Sequence, residues 1–436
     1  MHRYLRAVFL PLVVAVSGVF APSSIAADWP QWRGSNRDGI WSETGVVERF
    51  ESRELPVKWR VPIRSGYSGP TVAQGRVFVM DRVTQGGQQE QVHCFDAATG
   101  TKLWSFAYEC PYQGVQYTAG PRAAVTVADD RAYSLGTMGH LHCFDAASGK
   151  VLWSRDCRRE YRARIPVWGI AAAPLVEGDL VIVQIGGRDD ACLIAFDKAG
   201  GQERWRALSD PASYSAPIVI EQAGKRVLVC ITGARVVGLD PATGRLHWGH
   251  PFPPAQMVMV IATPVFDGKH IIATGFFDGS LVLSVDPNKL AVEQLWRRRG
   301  ENERNTDALH CCISTPMILG EYIYGVDSYG ELRCLDLKTG DRLWEDLTAT
   351  PKARWANIHI VRNGDKAWMF NEQGELIIAR LAPNGFHEIS RARLIEPTDE
   401  QLDVRDVCWS HPAFANRCVY ARNDKELLCA DLSTGQ

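Results

Sequence analysis

One phrase is repeated eight times along this chain, and the repeat limits the possible folds more than any single residue does. Its fullest copies are Cys94-Phe95-Asp96-Ala97-Ala98-Thr99-Gly100-Thr101-Lys102-Leu103-Trp104 and the matching run from Cys143 to Trp153. The turn glycines are Gly100, Gly149, Gly201, Gly244, Gly340, Gly385 and Gly435, with Leu290 in the fifth slot. Neighbouring slots lie 43 to 52 residues apart, a period near the roughly 40–50 residues of a propeller blade. The last copy runs from Cys429 to Gln436 and lacks its tryptophan.

Each copy reads as four short strands. In the sixth, Thr315–Leu319, Tyr322–Val326, Leu332–Leu335 and Arg342–Trp344 are apolar, aromatic or β-branched runs separated by turn residues. No window holds a sustained helical period. The pattern predicts an all-β, eight-bladed β-propeller of four-stranded antiparallel blades over residues 55–436. The segment Leu55–Ile63 carries a tryptophan with no turn of its own. We assign Trp59 to the outer strand missing from the last blade, so that the N-terminal strand closes the ring and covers an exposed sheet edge.

The repeat also removes candidates. Trp59, Trp104, Trp153, Trp205, Trp248, Trp296 and Trp344 share one slot, held by Ile389 in the seventh copy, and read as packing between blades. Cys94, Cys143, Cys334 and Cys429 all stand two residues before the repeat aspartate, where other copies have Ala195, Gly238, Ser284 and Ala379. A buried cysteine there acts as a small apolar residue. Of the remaining cysteines, Cys110 with Cys157 and Cys408 with Cys418 are possible bridges, while Cys192 and Cys230 read as core. A bond between adjacent Cys311 and Cys312 would be strained.

Residues 1–27 read as a signal peptide: Arg3 and Arg6, an apolar run from Ala7 to Phe20, then small residues up to Ala27. That run is too short to span a bilayer, so export to a periplasm or beyond is expected, with no membrane span after processing. Residues 28–54 form a tryptophan-rich lead-in expected to pack on the ring, with capping of the channel as its functional reading. Lys and Arg number 48 against 50 Asp and Glu, and with no basic stripe nucleic acid is not an expected partner.

The repeat Asp-x-x-Thr-Gly-x-x-x-Trp resembles the tryptophan-docking motif of the pyrroloquinoline-quinone (PQQ)-like propeller superfamily. The lead-in Asp28-Trp29-Pro30-Gln31-Trp32-Arg33-Gly34 and Gly120-Pro121-Arg122 resemble secreted PQQ-like propellers of planctomycete-type bacteria. The superfamily implies two functions: the PQQ- and calcium-dependent alcohol and sugar dehydrogenases, and the propeller lipoprotein of outer-membrane barrel assembly, a scaffold without cofactor. Fold alone does not choose between them.

The residues that differ between copies cluster in loops entering the first strands, at one channel mouth. They are Tyr67, Tyr117, Trp168, Tyr214, Trp355 and Trp409, with Arg122, His310, Cys311, Cys312, Arg354, Asn357, His359 and His411 at the same level. The first reading is an exported, non-catalytic scaffold binding a protein segment or carbohydrate there, with no catalytic residue, metal or cofactor. The alternative is a PQQ- and calcium-dependent oxidoreductase, with Cys311, Cys312 and Trp409 against the quinone and Asp307 near calcium. Calcium wants six to eight oxygen ligands, and the mouth loops offer Asp307 and little else. The chain has no Cys-x-x-Cys-His haem site.

Overall fold

The computed structural model describes residues 27–399 and 405–435. The leader expected over residues 1–27 lies outside them except for Ala27. Eight four-stranded antiparallel sheets form the propeller. Blades 1 to 7 each take four consecutive strands, starting at Thr71, Thr126, Leu175, Ile218, Val265, Met317 and Ile358. Blade 8 takes Ala413–Ala415, Cys418–Arg422 and Glu426–Asp431 from the C-terminal end and Val57–Pro62 from the N-terminal end. Trp59 lies opposite Cys429, and Pro62 opposite Glu426. The ring therefore closes by the strand that the sequence assigned to it.

Burial explains the strand order. Middle strands such as Leu193–Asp197 are covered on both faces by neighbouring blades and are almost wholly buried. Outer strands such as Lys102–Glu109 alternate, as one face meets solvent. First strands of neighbouring blades touch around the axis. The only helix among the described residues is one turn, Cys157–Glu160. No described helix is long and apolar enough to cross a membrane.

Each repeat tryptophan docks on the turn of the next blade. The Trp205 indole N–H donates to Pro241 O at 3.0 Å, Trp296 to Leu337 O at 2.8 Å and Trp344 to Ala382 O at 2.8 Å. Trp59 closes the circle by donating to Ala97 O of blade 1 at 3.0 Å. The turn glycine is required twice over. Gly244 has φ +71°, and a Cβ there would meet the Trp205 ring at 2.6 Å. Blade 5 has Leu290 in place of that glycine, and Trp248 instead donates to the Gln222 side chain at 2.9 Å. The Gln222 amide in turn donates to Lys289 O at 3.0 Å and Ala291 O at 2.6 Å.

Every outer strand carries a β-bulge beside its docking position. This corrects two alignments made from sequence. In blade 5 the bulge comes later, so Trp296 pairs with Val282 and Ser284 faces Glu293. In blade 7 Ile389 is itself the bulged residue, between the Ala379–Glu388 and Ile378–Ser390 pairs. The two possible cross-blade disulfides are also corrected, because all cysteines are unpaired and buried. Cys408 Sγ donates to Arg422 O at 3.2 Å, and Cys110 Sγ lies 3.7 Å from His140 Nδ1.

The lead-in crosses one end of the channel. Trp29 N–H donates to Val72 O of blade 1 and Trp41 N–H to Arg362 O of blade 7, both at 2.8 Å. Between them the buried Arg37 donates to Ala173 O at 3.2 Å and Pro217 O at 3.1 Å, in blades 3 and 4.

Candidate functional site

The cavity follows from how an extended chain alternates. Before each first strand the backbone runs along the axis, so residues two apart face the same way. Three positions before Pro70, Pro174, Pro217, Pro264, Pro316 and Pro412 stand Tyr67, Ala171, Tyr214, Ile261, Ile313 and Trp409. All six line one cavity. Arg122 holds the slot in blade 2 and also lines it. Two residues deeper come Ala124, Ala173, Ala216, His359 and His411, whose mostly small side chains leave the space open. An outer layer of Tyr117, Trp168, Met259, Cys312 and Trp355 completes the wall. The space within the wall and its open mouth together is about 980 Å³.

The floor is Trp32 of the lead-in. Its indole N–H donates to Thr263 Oγ1 at 2.6 Å, and its ring meets the His411 ring edge-on at 4.6 Å. The channel is thus a blind pocket, capped from below as the lead-in's functional reading expected. Sequence reasoning missed Trp32 itself, because the lead-in has no repeat register against which to place it. It also missed Ala171, Ile261 and Ile313, for which the spacing to proline was an available signal.

At the rim, Tyr117 lies 6.2 Å from Trp168, 5.9 Å from Trp355 and 6.1 Å from Trp409. It therefore stands over the mouth. Tyr117 and Trp355 both have left-handed backbone, φ +53° and +65°, a conformation that bulky residues rarely adopt. Tyr67 is fixed from both sides. Its N–H and that of Ser68 donate to Pro121 O at 2.8 Å, and Gly66 N–H donates to the Asp424 carboxylate at 3.0 Å.

Charge is sparse on this wall: among the described residues its lining holds Arg122 and no carboxylate. Arg122 spends its guanidinium on the carbonyls of Gly120, Gln116 and Tyr117 and lies 5.2 Å from the Tyr67 ring centre. Burial holds the His411 imidazole down at about 3, helped by His359, and burial holds His359 at about 4. Four buried polar atoms of lining residues have no hydrogen-bond partner: Tyr67 Oη, Trp168 Nε1, Trp355 Nε1 and His411 Nε2.

Several residues expected at the mouth lie elsewhere. His310 is buried behind the wall, with Nδ1 2.9 Å from Phe276 O and Nε2 accepting from Gly300 N–H at 3.1 Å. Cys311 packs into the core between blades 5 and 6, while Cys312 faces the cavity. The chain bends at Cys312 and Ile313, which sends the two thiols into different clusters. Burial pushes the Cys311 thiol up to about 12. Asn357 holds the blade 7 slot but stays buried off the wall, with neither amide atom partnered. Arg354 pairs with Glu303 at 2.6 Å and covers the Trp355 ring from outside at 4.4 Å. Asp307 pairs with Arg298 at 2.9 Å, away from the cavity.

These residues do not fit a calcium-held quinone. Calcium would need several hard oxygen ligands, and among the described residues the wall has no carboxylate to give. Among the described residues, no cluster of His, Cys, Asp and Glu could hold a metal ion.

The fold is shared with proteins of both functional branches. BamB from Moraxella catarrhalis superposes with a TM-score of 0.58 at 16% identity, over 88% of this chain and 99% of that one. Quinohemoprotein alcohol dehydrogenase from Comamonas testosteroni gives 0.62 at 13% identity, over 94% of this chain and 82% of the other. The computationally designed propeller Ika8 gives 0.53 at 12% identity, over 87% and 100%. No curated protein matches in sequence. The family model described as outer membrane protein assembly factor BamB matches residues 88–346 and 293–436. The chain belongs to that family, within the PQQ-like β-propeller superfamily.

Proposed function

We propose that this chain is an exported, non-catalytic scaffold that holds a partner at the aromatic mouth of its channel. One observation carries the reading: the cavity is walled by aromatic and small apolar residues, with Trp32 at its floor. Such a wall supplies the apolar contact area that a binding site needs. Among the described lining residues no nucleophile is hydrogen-bonded to a base, the pairing that catalysis commonly uses. Family membership supports a protein segment as the partner, and the leader read over residues 1–27 supports export.

The competing quinoprotein reading shares the fold and is tested directly. The purified chain is mixed with PQQ and Ca²⁺ and passed over a desalting column. No quinone absorbance is expected to stay with the protein, and no alcohol or sugar should drive dye reduction. Retained quinone with substrate-dependent reduction would replace the scaffold reading by the oxidoreductase.

A further inference from the structure

We infer that the leader is cut between Ala26 and Ala27, and that the α-ammonium this creates pairs with the buried carboxylate of Glu43, fastening the segment that floors the channel. The cut rests on the export reading. The docking of the new terminus is read from the fold.

Glu43 is 4% exposed, and its carboxylate accepts three hydrogen bonds. Oε2 takes the Trp41 indole N–H and the Arg417 main-chain N–H, both at 2.8 Å. Oε1 takes the Ala27 main-chain N–H at 2.9 Å. All three donors are neutral, and among the described residues no Lys, Arg or His side chain forms an ion pair with Glu43. A buried carboxylate ordinarily faces a cation, because an unpaired charge in the interior is costly.

The missing cation is one bond away. The nitrogen already at Oε1 is an amide only while residue 26 is joined to it. Hydrolysis by a leader peptidase breaks the bond between the Ala26 carbonyl carbon and the Ala27 nitrogen. Water's oxygen stays on Ala26 as part of a carboxylate, and both its protons end on the Ala27 nitrogen. The product is an ammonium within hydrogen-bond reach of Glu43, and a charged donor makes the stronger bond.

The sequence favours that bond for the cut. A leader peptidase reads small residues at the last and third-last positions of the leader. A cut after Ala26 sets Ala26 and Ser24 there. A cut after Ala27, the expected end of the leader, would set the bulky Ile25 in the third-last place and remove the nitrogen that Glu43 holds.

The pair closes a loop under the ring. Residues 27–43 carry Trp32, the floor of the cavity, and Arg37, which reaches Ala173 O and Pro217 O in blades 3 and 4. Ala27 and Glu43 are the two ends of that crossing, and the Arg417 N–H ties the same carboxylate to blade 8. Leader removal therefore finishes the anchoring of the cap.

The test starts from the full precursor, residues 1–436, expressed in a secreting bacterial host, with the exported product sequenced from its N-terminus. Ala27-Asp28-Trp29-Pro30 is expected. A product beginning at Asp28 or later overturns the inference and leaves export standing, whereas a chain kept uncut in the cytoplasm ends both. A second precursor carries one Gly inserted between Ala26 and Ala27, so that the nitrogen of Ala27 stays an amide after the cut. Its product should unfold in denaturant with an equilibrium constant roughly threefold to tenfold larger than that of the natural product. Glu43→Gln, which keeps the side chain's shape without its charge, should raise that constant by roughly tenfold to a hundredfold in the natural product, and by clearly less in the Gly-extended one. Equal stability of the two products, or an equal effect of Glu43→Gln on both, would show that the terminus is not paired with Glu43.

Discussion

The perimeter and the mouth of this ring both rely on tryptophan, and they use it in opposite ways. At the perimeter every docking indole is satisfied: Trp104, Trp153, Trp205, Trp296 and the others donate at 2.8 to 3.1 Å to the next blade, and Trp248 at 2.9 Å to Gln222 of its own blade. At the mouth, Trp168 and Trp355 leave their indole N–H buried and unpaired. An orphan indole alone marks nothing, since Trp29 and Trp368 in the core under the lead-in are also unpaired. What distinguishes the mouth is that its orphans belong to residues lining one cavity. A satisfied tryptophan holds this fold together, whereas Trp168 and Trp355 serve as walls of that cavity.

Three measurements bear on that contrast. The largest effect should come from Trp205→Ala, which empties a buried docking site against Gly244. It should cost about 3–5 kcal/mol in denaturant unfolding. A loss below about 1 kcal/mol would mean that the docking tryptophans are not what joins the blades.

Acidification comes next. His359 and His411 are held neutral by burial, at about 4 and about 3. Unfolded, each takes up a proton near pH 6.5, which the folded chain refuses. Stability is therefore unaffected by these groups above pH 6.5 and falls as pH drops toward 4. Each histidine should account for about 2 kcal/mol by pH 5. Burial holds His142 at about 4 as well, so the slope of stability against pH should flatten by up to about a third in His411→Gln, and an unchanged slope would show that His411 is charged or solvated in the folded protein.

The smallest effect is the most direct. Trp205→Phe loses a made hydrogen bond and should cost about 1 kcal/mol beyond the change in ring size, whereas Trp168→Phe removes an unmade one and should be close to neutral. Equal costs for the two substitutions would erase the distinction between perimeter and mouth.

Much of the ring was legible in the sequence because one contact is repeated. A tryptophan, a small residue across the strand and a glycine in the next turn recur in register, and even the closing strand around Trp59 could be placed by its absence elsewhere. Where the contact is rebuilt, the sequence was silent. Gln222 replaces the blade 5 turn from 64 to 69 residues away, and no pattern announces that. At the mouth the aromatics were legible because they break the repeat. Their neighbours were not, because a bend at Cys312 and Ile313 breaks the alternation and decides which of His310, Cys311 and Cys312 faces the axis.

The shared sheet of blade 8 has a consequence in time. Val57–Pro62 leaves the ribosome early and waits for Glu426–Asp431, far along the chain, so blade 8 is joined across a very long loop. Trp59 has no strand to pair with until Cys429 has been made. A chain cut short before Glu426 therefore leaves an unpaired strand edge at the seam of the ring, a surface that invites association.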